Sequence, residues 1–312
     1  GGVALNCVSN GRLYREGPFE RIWIQPAAGD AGGALAAALH VWYKELGNPR
    51  NSITIADRQV GSRLGSSYGD DDIEAYLKGN EIPYKKLPGK ELHHEVAGLI
   101  ANENVIGWFN GRMEFGPRAL GSRSILGDPR SPKMQSQMNL KIKFREGFRP
   151  FAPSVIAEKA KEWFDMAGVE QRSDFSSPYM LIVGHVQKSK MLHADGELKK
   201  AEGFERLKSV NTQIPAVTHV DNSARIQTVH QETNPDFYSL LTEFEKITGC
   251  PVLINTSFNV RGEPIVESPE DAYRCFMRTG MDYLVLGSFL MDKKEQPELI
   301  ETKDWQNEFQ LD

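Results

Sequence analysis

The chain has 312 residues, 40% of them hydrophobic, and a formal net charge of −5. This length slightly exceeds what one core usually holds, so we expect two unequal domains, and the acidic balance argues against a general nucleic-acid binder without excluding a local basic cleft. Three widely separated cysteines are typical of a reducing cytoplasm, and no apolar run approaches the length of a membrane span.

Helix and strand patterns alternate along most of the chain, which predicts an α/β fold. The predicted helices cover residues 3–10, 31–46, 72–78, 92–102, 131–140 and 235–248. The predicted strands cover residues 22–24, 105–109, 179–186, 224–229, 252–254 and 283–290. A Gly-, Ser- and Asp-rich stretch over 48–72 is interpreted as a linker. The run Ser268-Pro269-Glu270-Asp271 predicts a further helix start, with a capping Ser and Pro at the first position.

Two short motifs far apart in the sequence supply matching polar groups. They are Lys143-Phe144-Arg145 and Ser257-Phe258-Asn259. Residues separated by one position on a strand project from the same face, so each motif would present two side chains together. Two cations and two neutral hydrogen-bonding groups are what a phosphorylated small molecule requires.

Two Gly-, Pro- and Arg-rich segments, 111–124 and 148–153, are candidate anion sites. Glycines let main-chain N–H groups approach an anion, and Arg binds phosphate oxygens in a bidentate manner. The alternatives are a surface loop with solvated Arg for the first segment and a core-packing proline-rich loop for the second. Segment 255–262 directly follows a strand, where ligands of α/β sheets tend to lie, although a structural Asn/Ser turn explains it equally well.

Three weaker signals lie elsewhere in the chain. In Gly29–Gly33, Asp30 is a possible metal ligand and the glycines a possible phosphate contact at a helix N-terminus; simple helix capping by Asp30 is the alternative. The turn 221–225 leads into a strand with one Arg at its start. The run Ser177-Pro178-Tyr179-Met180 is of a kind that is usually structural.

Taken together, five ordered motifs resemble those of the NodU/CmcH-type O-carbamoyltransferases. They are Gly1–Cys7, Gln25–Ala34, Phe115–Gly121, Phe148–Pro153 and Asn255–Asn259. The resemblance covers nearly the whole chain. It implies a C-terminal remnant of an actin-like ATPase-fold (ASKHA) transfer domain over 1–60. A YrdC-like α/β domain with a twisted mixed sheet would follow over 61–312.

The resemblance also implies a staged reaction. Carbamoyl phosphate would lose phosphate, and the carbamate would attack the α-phosphate of ATP to give carbamoyl adenylate and pyrophosphate. The carbamoyl group would then pass to an acceptor hydroxyl on a sugar or natural product. The implied cofactors are ATP with Mg²⁺ and a divalent transition metal, expected to be iron, in the actin-like domain.

Residue roles follow from the resemblance position by position. Lys143, Arg145, Ser257 and Asn259 would form the adenylation pocket. Arg118, Arg123, Arg149 and Arg225 would bind phosphates. Gly29, Gly32, Gly33, Ser177 and Met180 would contact the nucleotide, and Asp30 would bind the metal. The family's His-rich motif and a second Asp are expected before Gly1, so we expect transfer to need a further segment, either lost by cleavage or supplied as a separate chain.

Two alternatives remain open from the sequence. Threonylcarbamoyl-AMP synthesis for tRNA modification would use the same YrdC-like pocket, although Phe115–Leu120 favours use of carbamoyl phosphate. A non-catalytic RNA-binding module is the other, and the acidic net charge counts against it. The sequence does not identify the acceptor.

Overall fold

The computed structural model describes residues 1–19, 22–50, 57, 59–165, 176–192 and 210–298. The helices are α1 Cys7–Glu16, α2 Asp30–His40, α3 Asp70–Gly79, α4 Gly89–Ala101, α5 Met134–Lys141, α6 Ala160–Trp163, α7 Pro235–Thr248 and α8 Pro269–Arg278. The strands are β1 Lys85–Lys86, β2 Ile106–Phe109, β3 Arg123–Gly127, β4 Ala152–Ile156, β5 Phe164–Asp165, β6 Ile182–Val186, β7 Ser223–Val229, β8 Val252–Ser257, β9 Tyr283–Leu286 and β10 Phe289–Asp292.

The described strands form one mixed sheet in the order β1-β10-β9-β2-β3-β8-β4-β7-β6-β5. β2 pairs with β9 and β4 with β7 in parallel, and the other pairs are antiparallel. The predicted mixed α/β fold is therefore confirmed. The actin-like and YrdC-like identities, with their boundary near residue 60, stay predictions.

Helix α7 shows how the local sequence builds the core. Asn234 accepts a hydrogen bond from the Phe237 N–H (3.3 Å), and Gly249 ends the helix in the left-handed region at φ 71°. The apolar face of α7 packs against α4 and reaches β4 and β8. Helix α8 begins with the predicted Ser268 cap, which accepts from the Asp271 N–H (3.1 Å). Both helix predictions are confirmed.

Helix α1 lies on strand β6. The Asn10 amide donates to the Leu181 carbonyl (3.1 Å), and Arg15 Nη1 donates to the Val183 carbonyl (2.7 Å). A Cβ at Gly11 would lie 2.6 Å from the Val183 oxygen, so the close approach needs glycine there. The first sixteen residues are in this way joined to the main sheet at β6, the neighbour of the edge strand β5.

Several predicted elements differ from the structure, and three of them matter here. Residues 22–24 are irregular, not a strand, and the first helix begins at Cys7, later than predicted. The predicted strand 283–290 is two strands joined at Gly287, whose φ of 55° turns the chain back on itself. Within the described ranges, no helix is both long and apolar enough to cross a membrane.

Candidate functional site

One face of the central sheet carries a buried polar network. Ser154 Oγ donates to Gln227 Oε1 (2.5 Å), and the Asn255 amide donates to both of those oxygens (3.0 and 2.9 Å). These residues lie on the adjacent strands β4, β7 and β8. Since side chains two positions apart on a strand share a face, Arg225 and Ser257 project from this face on either side of β4, about 10 Å apart across the sheet.

The Lys143 ammonium joins the two motifs predicted from the sequence. Its Nζ donates to Asn259 Oδ1 (2.7 Å) and to the main-chain oxygens of Asn259 (2.8 Å) and Ser257 (2.5 Å). Ser257 Oγ in turn donates to Asn259 Oδ1 (2.7 Å). Lys143 is only 4% exposed, and burial lowers its pKa to about 7. We call these three residues the lysine clamp.

The prediction that each motif lies on a strand, and so presents its two side chains on one face, is wrong. Lys143 and Arg145 do not lie on a strand; they follow α5 in an irregular segment where Phe144 has φ 47°. Ser257 is the last residue of β8, and Asn259 lies beyond it. The side chains meet because two loop segments approach each other at the end of β8, not because of strand alternation.

Three arginines from separate segments converge beside the lysine clamp. Burial, followed by the positive charges of Arg118 and Arg145, lowers the pKa of Arg225 to about 10. Burial and the charge of Arg149 likewise lower the pKa of Arg145. The side chains of Arg118 and Arg225 form no hydrogen bond or ion pair with any residue that the structure describes, and Arg118 Nε is buried.

We call Arg118, Arg145 and Arg225 the arginine cluster. This cluster favours an anionic ligand. Cations removed from water are costly unless a counter-charge lies beside them. The positive charges of Arg118 and Arg145 act on Arg225 and add repulsion to that cost. An anion between them removes both penalties at once.

Asn139 positions Arg145 and was not foreseen from the sequence. It is fully buried on α5, and its Oδ1 accepts from Arg145 Nε (2.6 Å). Its amide donates to the carbonyls of Arg149 (2.8 Å) and Gly147 (3.3 Å). The Asn139 side chain therefore fixes the 145–149 loop and leaves Nη1 and Nη2 of Arg145 available to a ligand. The only signal in the sequence was an Asn within a helix, where it is disfavoured.

Glu114 holds the loop that carries Arg118, and it too was missed. Its Oε1 accepts from the N–H groups of Leu120 (2.6 Å) and Ser122 (2.8 Å), and the residue is 6% exposed. The Leu120 carbonyl accepts from Gln227 Nε2 (2.8 Å), so the loop lies over the polar face of the sheet. The position of Glu114, four residues before Arg118 in the sequence, does not indicate this role.

Two other predicted phosphate ligands lie in different surroundings. Arg123 is fully buried; its Nη1 donates to the Gly111 carbonyl (3.1 Å), and its guanidinium lies 3.5 Å from the centre of the Phe109 ring. Arg149 is half exposed and pairs with Glu146 (2.9 Å). Arg149 is close enough to influence Arg145, whereas Arg123 stabilises a loop. Phosphate binding by either residue stays a prediction.

The predicted nucleotide contacts Ser177 and Met180 both pack against protein. Ser177 is buried, and its hydroxyl donates to the Ile226 carbonyl (2.9 Å). Met180, at φ 53°, forms a small apolar cluster with Leu120 and Ala152. Nucleotide binding by these two residues stays a prediction.

The Gly-rich segment 29–33 forms the beginning of α2. A Cβ at Gly32 would lie 2.0 Å from the Ala27 oxygen, so the turn into the helix needs glycine. Ala27 lies against Gly116, where an added Cβ would be 3.3 Å from the Ala27 Cβ. The beginning of α2 is therefore close to the loop that carries Arg118. Nucleotide contacts from Gly29, Gly32 and Gly33 stay a prediction.

The residues present do not fit the expected transition metal. Asp30 is an exposed residue in the first turn of α2. Across the described part of the chain, no group of three or more His, Cys, Asp or Glu is placed to hold a metal ion. A single carboxylate does not make such a site, so we derive no step through a metal.

Comparison with known proteins gives this site a family context. The family model described as carbamoyltransferase C-terminus matches residues 97–293, and the one described as carbamoyltransferase N-terminus matches residues 1–39. An uncharacterised Synechocystis protein is 58% identical over 100% of this chain and 50% of its own length. Nodulation protein NolO of Bradyrhizobium diazoefficiens is 40% identical over 94% of the chain and 48% of its own length.

A relative with a named activity is less similar in sequence. The 3'-hydroxymethylcephem-O-carbamoyltransferase of Amycolatopsis lactamdurans is 31% identical over 95% of the chain and 48% of its own length. The chain spans about half the length of the curated relatives it matches. Because the C-terminal family model alone matches more than half of it, this chain belongs to the carbamoyltransferase family, of the NodU/CmcH type.

Proposed function

We propose that this chain forms carbamoyl adenylate from carbamoyl phosphate and ATP, as the activating part of an O-carbamoyltransferase. The observation that carries the proposal is the arginine cluster beside the lysine clamp. Carbamate and ATP are both anions and repel each other. Cations fixed around their meeting point offset that repulsion and orient the reactants before reaction.

The proposed chemistry has two stages at this site. Hydrolysis of carbamoyl phosphate gives inorganic phosphate and carbamate. A carbamate oxygen then forms a bond to the α-phosphorus of ATP, and the bond from that phosphorus to pyrophosphate breaks. Arg118, Arg145 and Arg225 would balance the charge on the phosphates. The lysine clamp would hold the Ser257 hydroxyl and the Asn259 side chain toward the carbamate.

The second half-reaction belongs to the whole protein. An acceptor hydroxyl would attack the carbamoyl carbon, AMP would leave, and the hydroxyl proton would be lost. The 3'-hydroxymethylcephem-O-carbamoyltransferase supports an alcohol acceptor by its name, and we propose a sugar or natural-product hydroxyl here. We also retain the proposal of an actin-like segment over 1–60 and a YrdC-like domain over 61–312.

Exchange of labelled pyrophosphate into ATP tests the activation step. Exchange should require carbamoyl phosphate. The Arg145→Ala variant should lose a charge-assisted contact of about 1.5–3 kcal/mol, which lowers exchange by roughly ten- to a hundredfold. Arg12→Ala is the matched control, because Arg12 is exposed on α1 and pairs with Glu16 on the same helix. Equal exchange in the Arg145 variant and the control would count against the site.

The two alternatives lack an observation of their own. Both the C-terminal family match and the named transferase relative concern carbamoyl groups. Exchange that depended on threonine and bicarbonate in place of carbamoyl phosphate would support threonylcarbamoyl-AMP synthesis. Tight RNA binding that weakens steeply with salt would support the RNA-binding module.

A further inference from the structure

The loop that carries Arg145 also carries a carboxylate that the activation step does not use. Glu146 pairs with Arg149 (Oε2 to Nε 2.9 Å), and each of these two side chains is nearly half exposed. Exposed pairs of this kind are weak, because water competes for both partners. A phosphate binds an arginine through two parallel hydrogen bonds, so it can take the place of Glu146 on Arg149.

The main chain of this loop is fixed from helix α5. Asn139 holds two of its carbonyls, as described above. Gln135 Nε2 donates to a third, the carbonyl of Phe148 (2.9 Å). Because the backbone is held in this way, an exchange of partners at Arg149 can occur through rotation of the Glu146 side chain, without movement of the main chain.

A further arginine reaches this loop from a distant part of the chain. Arg261 lies in the turn 259–263, in which the Asn259 amide donates to the Glu263 carbonyl (2.7 Å). The lysine clamp joins this turn to the segment that carries Arg145. Arg145 and Arg261 therefore each lie two residues beyond a member of the clamp.

Glu146 lies in the field of three guanidinium groups. A hydrogen bond from its own N–H, followed by the charges of Arg149, Arg261 and Arg145, lowers the pKa of the Glu146 carboxyl against an opposing effect of desolvation. The same surroundings stabilise any anion that replaces this carboxylate.

Arg145 connects these groups with the arginine cluster. Its charge acts on Arg225, and the charges of Arg149 and Arg261 act on Arg145 in turn. The guanidinium groups thus form a series that extends from the arginine cluster to the turn 259–263. A ligand with several phosphates in series matches such an arrangement better than a single phosphate does.

We propose that Glu146 is a built-in competitor for the phosphates of the nucleotide. In the free protein it pairs with Arg149. The terminal phosphates of ATP, or the pyrophosphate product, replace it when they bind. The competition weakens pyrophosphate binding and so promotes release of this product. The identity of the nucleotide rests on the proposed function, whereas the competition for an anion rests only on the contacts of this loop.

Calorimetric titration of the full chain with inorganic pyrophosphate tests the competition. Glu146→Gln removes the charge and keeps the shape, so pyrophosphate should bind about two- to fivefold more tightly than it does to wild type. Arg149→Gln removes the contested cation and should weaken binding roughly tenfold. Glu16→Gln is the matched control, because Glu16 also pairs with an exposed arginine, and it should change nothing.

Two comparisons separate displacement from a general effect of charge. AMP lacks the terminal phosphates, so Glu146→Gln should leave the affinity for AMP unchanged. In the Arg149→Gln background, Glu146→Gln should tighten pyrophosphate binding less than it does in wild type. No gain for pyrophosphate, an equal gain for AMP, or the same gain in both backgrounds would overturn the proposal.

The exchange assay separates this proposal from the activation step. If wild type shows no exchange that depends on carbamoyl phosphate, yet pyrophosphate binding responds to the variants as described, the activation step fails and the competition stands. If exchange is normal and Glu146→Gln binds pyrophosphate only as well as wild type does, the competition proposal alone fails.

Discussion

Replacement of Arg225 by Met should have opposite effects on stability and on ligand binding. The Met side chain keeps much of the apolar stem of Arg and removes the charge. In the ligand-free protein the charged form of Arg225 is destabilised by burial and by the charges of Arg118 and Arg145. These effects lower the pKa of Arg225 to about 10. The variant should therefore be more stable than wild type when no anion is present.

The size of the effect follows from that pKa. The difference between 12.5 and about 10 corresponds to roughly 3 kcal/mol of unfavourable free energy for the charged form. Replacement of buried ions by apolar groups of similar size typically stabilises by about 1–4 kcal/mol or is neutral. We therefore expect the free energy of unfolding to rise by about 1–3 kcal/mol, without variation across neutral pH because Arg225 stays charged there.

Urea denaturation provides the assay, because guanidinium salts would supply competing ions. In anion-free buffer Arg225→Met should have a higher midpoint than wild type. Added carbamoyl phosphate should stabilise wild type far more than the variant. Arg12→Met, on the exposed face of α1, should change neither quantity. A destabilised Arg225 variant that binds carbamoyl phosphate as well as wild type does would refute the reasoning.

Three further predictions concern the lysine clamp and the two positioning residues. Because the pKa of Lys143 is about 7 in the folded state and near 10.5 when unfolded, stability from this residue should rise with pH across that window, by up to about 1.4 kcal/mol per pH unit. The stability difference between Lys143→Met and wild type, measured by urea denaturation, should therefore change in favour of wild type as pH rises; a constant difference would contradict it. Asn139→Ala should cost about 1–3 kcal/mol of stability and raise the KM for carbamoyl phosphate in the exchange assay, since Arg145 loses its acceptor; an unchanged KM would leave Asn139 with a structural role only. Glu114→Ala should weaken exchange more than Glu114→Gln, which keeps an oxygen for the N–H groups of Leu120 and Ser122, and equal activity in both variants would argue against loop positioning.

Sequence reasoning succeeded where periodicity and capping act locally. The extent of α7 follows from the spacing of its apolar residues, and the start of α8 follows from Ser268 and Pro269. Such signals depend on residues within one or two turns. They are therefore legible without knowledge of the tertiary structure.

The failures have a shared physical cause. The positive φ of Gly287 turns the chain where the hydrophobic pattern suggests one continuous strand, and the positive φ of Phe144 breaks the extended backbone that the Lys143 and Arg145 spacing was taken to imply. Residue types near Lys143 and Ser257 were correctly grouped, but the contact between them depends on loops more than a hundred residues apart. Composition identified the cations and could not indicate which of them bind protein carbonyls, as Arg123 does.

The positioning residues were invisible for the same reason. Asn139 and Glu114 are single polar residues whose importance arises only when distant main-chain groups are brought to them. No spacing rule connects Asn139 with the carbonyl of Arg149 or Glu114 with the N–H of Ser122. Their contribution lies in the tertiary contacts and not in any motif.

Mass spectrometry of the products formed from ATP, carbamoyl phosphate and this chain tests the central claim most directly. Formation of carbamoyl adenylate and pyrophosphate by wild type, and its loss in the Arg145→Ala variant but not in Arg12→Ala, is the predicted result. Unchanged ATP together with nothing beyond the breakdown products of carbamoyl phosphate would contradict the account.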